Sequence, residues 1–201
     1  MGKNFKIQIL QENGEFKNAS LKPREVQFIQ NMCIGGACTQ TFLSEDLGEK
    51  RLRTLCALGI FEKMEKPHRE EVDGKVVNRH WYTLGENGKT LAKDQEFCGV
   101  LQGANGYKHA EKMERVVDDL LINKNIDIRN IYNEKDQKQI FKKELRKLRA
   151  DKTKYHINDI AYKDSFGGWH SVEVVTESYG KTLLKKHEAF ASAIGATYEK
   201  V

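Results

Sequence analysis

Two carboxylates in the second half of the chain have the types and spacing that metal-assisted phosphoryl chemistry uses. Asp159 lies in the stretch 155–162 and Glu173 in the stretch 169–175, and both stretches are typical of β-strands. The glycine-containing turn 164–168 between them predicts a hairpin. Carboxylates at neighbouring strand ends can hold a divalent cation, which polarises a phosphate and activates a water molecule.

A third acid, Glu111 or Glu114, lies on the helix that precedes these strands. Together the acids resemble the core of restriction-endonuclease-like folds. That resemblance implies a lysine two residues after the second strand's acid, but Val175 occupies this position. Lys181, in the turn before the last helix, is the substitute that the sequence offers.

Two hypotheses follow for the second half of the chain. In one, Asp159, Glu173 and Lys181 serve a metal-dependent nuclease. In the other, which we prefer, the two acids are polar anchors in a degenerate nuclease-like α/β unit that has no catalytic residues and no cofactor.

The segment 21–91 predicts a winged helix-turn-helix. Pro23 begins a first helix, whose apolar residues Val26, Phe28, Ile29 and Met32 are spaced to share one side before Gly35-Gly36 ends it. Thr39 or Thr41 can cap a second helix. Ser44-Glu45-Asp46 predicts the cap and acidic first turn of a third helix that ends at Gly59.

The third helix has two faces of different character. We expect its apolar face to pack inward through Leu47, Leu52, Leu55, Cys56 and Leu58. The polar residues left for the outer face are Lys50, Arg51, Arg53 and Thr54. A helix lying in a major groove needs such residues for phosphates and base edges.

The wing is predicted from two β patterns, 60–65 and 76–84, joined through the turn Asp73-Gly74. Arg79 is a candidate phosphate contact on this wing. The expected wing tip, 68–73, carries three carboxylates that would repel a DNA backbone. A winged helix that binds protein instead of DNA is therefore an open alternative.

The second half begins after a glycine-rich boundary, with a linker near residue 100. We predict a helix at 109–121, a strand at 126–132 and a last helix at 182–194. The segment 135–154 contains nine Lys or Arg against three acids, a local net charge of +6. Ile140, Phe141, Leu145 and Leu148 predict that this segment is one amphipathic helix, whose basic face is solvated or binds phosphate.

Composition sets the broad class. The chain has 201 residues, of which 39% are hydrophobic, and a net charge of +5. We expect a soluble cytoplasmic α+β protein with a short N-terminal strand or hairpin at 1–20, a DNA-binding domain at 21–99 and an α/β domain at 107–201. No segment has the length and apolarity of a membrane span. The four cysteines predict neither disulfides nor a zinc site.

The layout of about residues 21–195 is similar to the replication-relaxation family of plasmids and integrative elements. The resemblance rests on "HWYTLGENGKTLA" at 80–92, "HAEKMERVVDDLL" at 109–121, and "HINDIAYK" with "WHSVEVVTES" at 156–178. It implies a non-enzymatic double-stranded DNA-binding accessory of plasmid replication or conjugation, acting beside a relaxase or replication initiator in a relaxosome-like assembly. The alternatives are a transcriptional repressor, a nuclease and a protein-binding adaptor, and a homodimer on paired half-sites is possible.

Overall fold

The computed structural model of the chain describes residues 4–10, 14–176 and 179–201. An N-terminal hairpin pairs β1 (Phe5–Leu10) with β2 (Phe16–Leu21) in antiparallel register. We predicted a strand or hairpin here. The predicted turn residue Asn13 lies outside the described residues.

Two helices and a short strand follow the hairpin. Helix α1 (Pro23–Gly35) has proline in its first turn and ends where Gly36 adopts the left-handed conformation, as predicted. Strand β3 (Cys38–Thr39) leads into α2 (Gln40–Ser44), and the Thr39 hydroxyl caps α2 by accepting from the Phe42 backbone N–H.

Helix α3 (Glu49–Ala57) begins later than the sequence predicted. Ser44 is the last residue of α2, and Gly48 is the N-cap of α3, so Ser44-Glu45-Asp46 does not cap α3. Asp46 instead forms an ion pair with Arg24 of α1. The residues between Ser44 and Glu49 form the turn that joins α2 to α3.

The next segment contains four strands where the sequence predicted two. They are β4 (Phe61–Lys63), β5 (His68–Val72), β6 (Lys75–Arg79) and β7 (Trp81–Leu84), followed by helix α4 (Glu86–Asp94). Strand β7 is the centre of a small antiparallel sheet, between β3 and β4. Strands β5 and β6 form a separate hairpin, whose turn is the predicted Asp73-Gly74 with both residues at positive φ.

The second half is built on a four-stranded sheet. Its elements are α5 (Tyr107–Asp118), a π-helical turn (Asp119–Asn123), a 3-10 turn (Ile128–Asn130), β8 (Ile131–Asn133), α6 (Glu134–Ile140), α7 (Lys142–Ala150), β9 (Ile160–Lys163), β10 (Trp169–Glu173), α8 (Lys181–Ala193) and β11 (Thr197–Lys200). The sheet order is β11-β10-β9-β8. Strands β8 and β10 each pair with β9 in antiparallel fashion, whereas β11 is parallel to β10 and follows it through α8.

Two predictions for this half are corrected, and one strand was missed. The basic helix is two helices separated at Phe141, and the break leaves Ile140 45% exposed while Phe141, Leu145 and Leu148 are buried. The strand at 155–162 begins only at Ile160. Strand β11 was not predicted.

The apolar core runs through both halves of the chain. One cluster of buried side chains includes Phe28 of α1, Leu55 of α3, Met113 and Val117 of α5, and Val172 of β10. The irregular segment 95–106 packs closely against the end of α1. A Cβ on Gly36, which follows that helix, would lie only 2.4 Å from the Gly103 carbonyl oxygen. The two predicted domains therefore share one core in this mixed α+β fold. In the described part of the chain, no helix combines the length and apolarity needed to cross a membrane.

Candidate functional site

Helix α3 presents a polar face to solvent. Leu52 and Leu55 are buried on its inner side, whereas Lys50, Arg53 and Thr54 are exposed. The Arg53 guanidinium pairs with Glu49 one turn earlier, and the Thr54 hydroxyl donates to the Lys50 carbonyl oxygen at 2.9 Å. The exposed face thus offers two long cations and a hydroxyl on a rigid helix, which are groups that hydrogen-bond to phosphates and base edges.

Arg51 lies at the edge of that face and is held by α1. Its Nε donates to Glu25 Oε1 and its Nη2 to Glu25 Oε2, both at 2.7 Å, and Nη2 also donates to the Ser20 carbonyl oxygen at 2.9 Å. The Glu25 hydrogen bonds raise the pKa of Arg51. Because Glu25 is fully buried, this pair joins α3 to α1 instead of leaving Arg51 free beside Lys50 and Arg53.

Arg79 lies on β6 and shares a carboxylate across the hairpin. Its Nε donates to Glu70 Oε2 at 3.3 Å, and Lys108 of α5 contacts the other Glu70 oxygen at 2.8 Å. These cations, Lys108 foremost, lower the pKa of Glu70. One of the three wing carboxylates is therefore neutralised within the protein. Two further cations, Arg69 and Lys75, were not predicted as contacts and are exposed on the same hairpin.

Glu114 and Glu111 have contacts that differ from those of a third metal-binding acid. The buried Glu114 carboxylate accepts from the Thr39 backbone N–H at 2.6 Å and from the Thr39 hydroxyl at 2.7 Å. Burial raises the pKa of Glu114 to about 7. Glu111 pairs with Lys108 at 3.4 Å on the surface. Glu114 thus fixes α5 to the start of α2.

The structure does bring Asp159 and Glu173 together at the ends of β9 and β10. The Asp159 backbone N–H donates to Glu173 Oε2 at 3.3 Å, and Asp159 Oδ2 accepts from the Val174 N–H at 2.9 Å. Burial, followed by the Glu173 charge, raises the pKa of Asp159 to about 7. The two acids hold the strand ends through backbone contacts.

Two histidines complete this group, which we call the acid–histidine cluster: His109, Asp159, Glu173 and His187. His109 Nε2 of α5 lies 3.4 Å from Asp159 Oδ1, and His187 Nδ1 of α8 lies 3.0 Å from Glu173 Oε2. Burial lowers the pKa of His109. The sequence did not indicate these histidines, because they stand far apart in the chain, on α5 and α8. They meet the two acids only in the folded protein.

The lysine nearest to Val175 comes from an unexpected element. Lys112 of α5 donates its Nζ to the Val175 carbonyl oxygen at 2.7 Å, whereas Lys181 is exposed at the first residue of α8. Across residues 4–10, 14–176 and 179–201, no group of three or more His, Cys, Asp or Glu is arranged to hold a metal ion. Glu177 and Ser178 of the "VVTES" motif lie outside the described residues.

Comparison of the chain with models of protein families, with curated proteins and with solved structures finds no match.

Proposed function

We propose that this protein binds double-stranded DNA, with α3 in the major groove and the β5–β6 hairpin against the backbone. The observation that carries the proposal is the exposed row Lys50, Arg53 and Thr54 on a helix whose opposite side is buried. Arg51 holds this helix against α1 through its ion pair with Glu25. The exposed row would read the base sequence of the DNA, and contacts with the DNA backbone would set the position of the protein on the duplex.

The order of elements supports this proposal. Helix, strand, two helices, strand, hairpin and returning strand follow one another from α1 to β7, with β7 between β3 and β4. We interpret this order as that of a winged helix, in which the third helix would be the reading helix and the hairpin would be the wing. Arg79 is bound to Glu70, so we assign backbone contact on the wing first to Arg69 and Lys75.

The second half supports a structural role beside the DNA-binding unit. Its order of helix, strand, two helices, two further antiparallel strands, helix and parallel strand resembles a nuclease-like fold. Asp159 and Glu173 are engaged by backbone N–H groups, which favours polar anchors over a cleaving site. With the resemblance to replication-relaxation proteins, we infer an accessory at a mobile element's origin, beside a relaxase or replication initiator. Repression at a promoter is the rival, since the same contacts would serve it.

The proposal is tested by binding-site selection followed by affinity measurement. A random duplex library should yield an enriched motif, and fluorescence anisotropy should then show tighter binding to that motif than to its scrambled form. Replacing Lys50 and Arg53 together by alanine should weaken binding to the motif by about 2–6 kcal/mol, because each lost base contact costs about 1–3 kcal/mol.

A matched control removes the same charge elsewhere. Lys93 and Lys200 are exposed on α4 and β11, so Lys93→Ala with Lys200→Ala should keep the preference for the motif. Equal affinity of wild type and the α3 variant for the motif would contradict the proposal. No binding to any duplex at low salt would favour a protein-binding adaptor.

A nuclease is the second candidate, because Asp159 and Glu173 do lie side by side at adjacent strand ends. It predicts nicking of supercoiled plasmid with Mg²⁺ or Mn²⁺ that Asp159→Asn abolishes. Our proposal expects intact plasmid with wild-type protein. Reproducible nicking lost in Asp159→Asn would replace the non-enzymatic proposal.

A further inference from the structure

A basic groove lies on the second half, away from α3. It is a cavity of about 520 Å³ between the α6–α7 pair and the segment before β9. Its floor includes Leu145 and Ile157. We define the basic groove by the polar residues on its walls, which are Lys138, Lys142, Arg146, Arg149, Tyr155, His156 and one acid, Glu134.

The four cations of the groove follow one another along one side of two consecutive helices. Lys142, Arg146 and Arg149 stand at intervals of four and three on α7, which place their side chains on the same helix face. Lys138 stands on α6, before the break at Phe141, and lines the same cavity. The other face of α7 is buried through Leu145 and Leu148, in a cluster with Phe141 and Phe190. Packing therefore fixes the α7 part of the row, which spans about 10 Å at 1.5 Å per residue.

Much of the positive charge of this row is free to meet a ligand. Lys138 pairs with Glu134 at 2.6 Å, and Arg149 donates to the neutral Tyr155 hydroxyl at 3.0 Å. Lys142 and Arg146 are exposed and form no ion pair with any residue that the structure describes. The surrounding segment 135–154 carries a net charge of +6, which exceeds that of the whole chain.

The shape of this charge selects an extended polyanion. Cations spread along a row make separate contacts, whereas a small anion is held by groups that converge on one point. A DNA strand carries one phosphate for about every 3.4 Å of helix axis, so several phosphates can lie along the row. Contacts between Lys or Arg side chains and phosphates carry no information about the bases.

We propose that the basic groove binds the phosphate backbone of duplex DNA without sequence preference, as a second contact surface separate from α3. The inference shares with the proposed function only the ligand, duplex DNA. The groove also adjoins the acid–histidine cluster, since the rings of His156 and His187 lie 5.4 Å apart.

The test uses the full chain and a fluorescent duplex of random sequence. Binding is measured by anisotropy over a series of KCl concentrations, for wild type and for Lys142→Ala with Arg146→Ala. The plot of log affinity against log salt should become shallower by about 1.8, because each lost phosphate contact removes about 0.9 from the slope. The loss should be the same on selected and scrambled duplexes.

Two comparisons make the result decisive. The Lys93→Ala, Lys200→Ala variant removes equal charge outside the groove and should keep the wild-type slope. A groove variant whose slope equals that of this control overturns the inference. So does competition by ATP that depends on Lys142 and Arg146 while the duplex slope is unchanged, because the groove would then be a small-anion site.

Failure of the inference differs from failure of the proposed function. If only the groove is misassigned, the Lys50→Ala, Arg53→Ala variant still loses its preference for the selected motif while the groove variant binds like the control. If only α3 is misassigned, the α3 variant keeps its preference and the groove variant still has the shallower salt slope.

Discussion

Replacing Arg51 by alanine should lower the free energy of unfolding by about 3 kcal/mol, whereas Arg53→Ala should lower it by less than about 0.5 kcal/mol. The two arginines lie two residues apart on α3. Arg51→Ala leaves the buried Glu25 carboxylate without its bidentate partner, while Arg53 forms an exposed pair with Glu49. Urea unfolding followed by circular dichroism measures both values.

A double-mutant cycle tests whether Arg51→Ala lowers the free energy of unfolding through the loss of the pair with Glu25. The combined Glu25→Ala, Arg51→Ala variant should cost less than the sum of the two single changes, since either change alone disrupts the same pair. Equal stability of the Arg51→Ala and Arg53→Ala variants would show that Arg51 is an ordinary surface residue. Arg51 would then return to the set of residues available for DNA.

Wild-type protein should lose stability relative to Glu114→Gln as the pH rises from 5 to 8. Burial raises the pKa of Glu114 to about 7, so the folded protein holds this proton more tightly than the unfolded chain does. The contribution is fully present below the ordinary glutamate pKa and is lost as the pH rises through about 7. The glutamine amide stays neutral beside Thr39 at every pH, so the variant does not lose stability in this way as the pH rises.

The expected loss of stability from Glu114 between pH 5 and pH 8 is about 3 kcal/mol. Each tenfold difference in proton affinity between the folded and the unfolded protein is worth about 1.4 kcal/mol. Asp159, whose pKa is also raised to about 7, adds a loss in the same direction. The lowered pKa of His109 opposes it, since that contribution grows as the pH rises through the ordinary histidine pKa. The difference between wild type and Glu114→Gln isolates Glu114 from both.

Glu111→Gln is the matched control for Glu114→Gln, because Glu111 lies one turn earlier on α5 with a half-exposed side chain. Its stability should follow the wild-type curve from pH 5 to 8. Thermal unfolding at a series of pH values supplies the three curves. A Glu114→Gln curve parallel to wild type would mean that Glu114 stays ionised in the folded protein.

Local patterns predicted α1, the Asp73-Gly74 turn and the turn between β9 and β10, since each is set by residues near one another in sequence. Pro23 and Gly36 mark the ends of α1 by their own backbone preferences. The 164–168 turn likewise closes through the Asp164 N–H, which donates to the Gly168 carbonyl oxygen. These elements need no distant partner to form.

Elements and contacts that depend on distant partners were missed. Strand β11 has four residues and is defined by its parallel pairing with β10. The acid–histidine cluster joins α5, the strand ends and α8, which no spacing in the sequence relates. Helix geometry did contain one signal for Arg51: it precedes the buried Leu55 by four residues and so lies on the flank nearest the core.

The most direct test of DNA recognition by α3 is to repeat the binding-site selection with Arg53→Ala and with Lys50→Ala. We expect wild type to enrich one defined motif, and each variant to lose base preference at one or two positions while the preference at the flanking positions persists. Such a change assigns a side chain to a base pair in the major groove. The same motif from wild type and both variants would contradict base recognition by this helix.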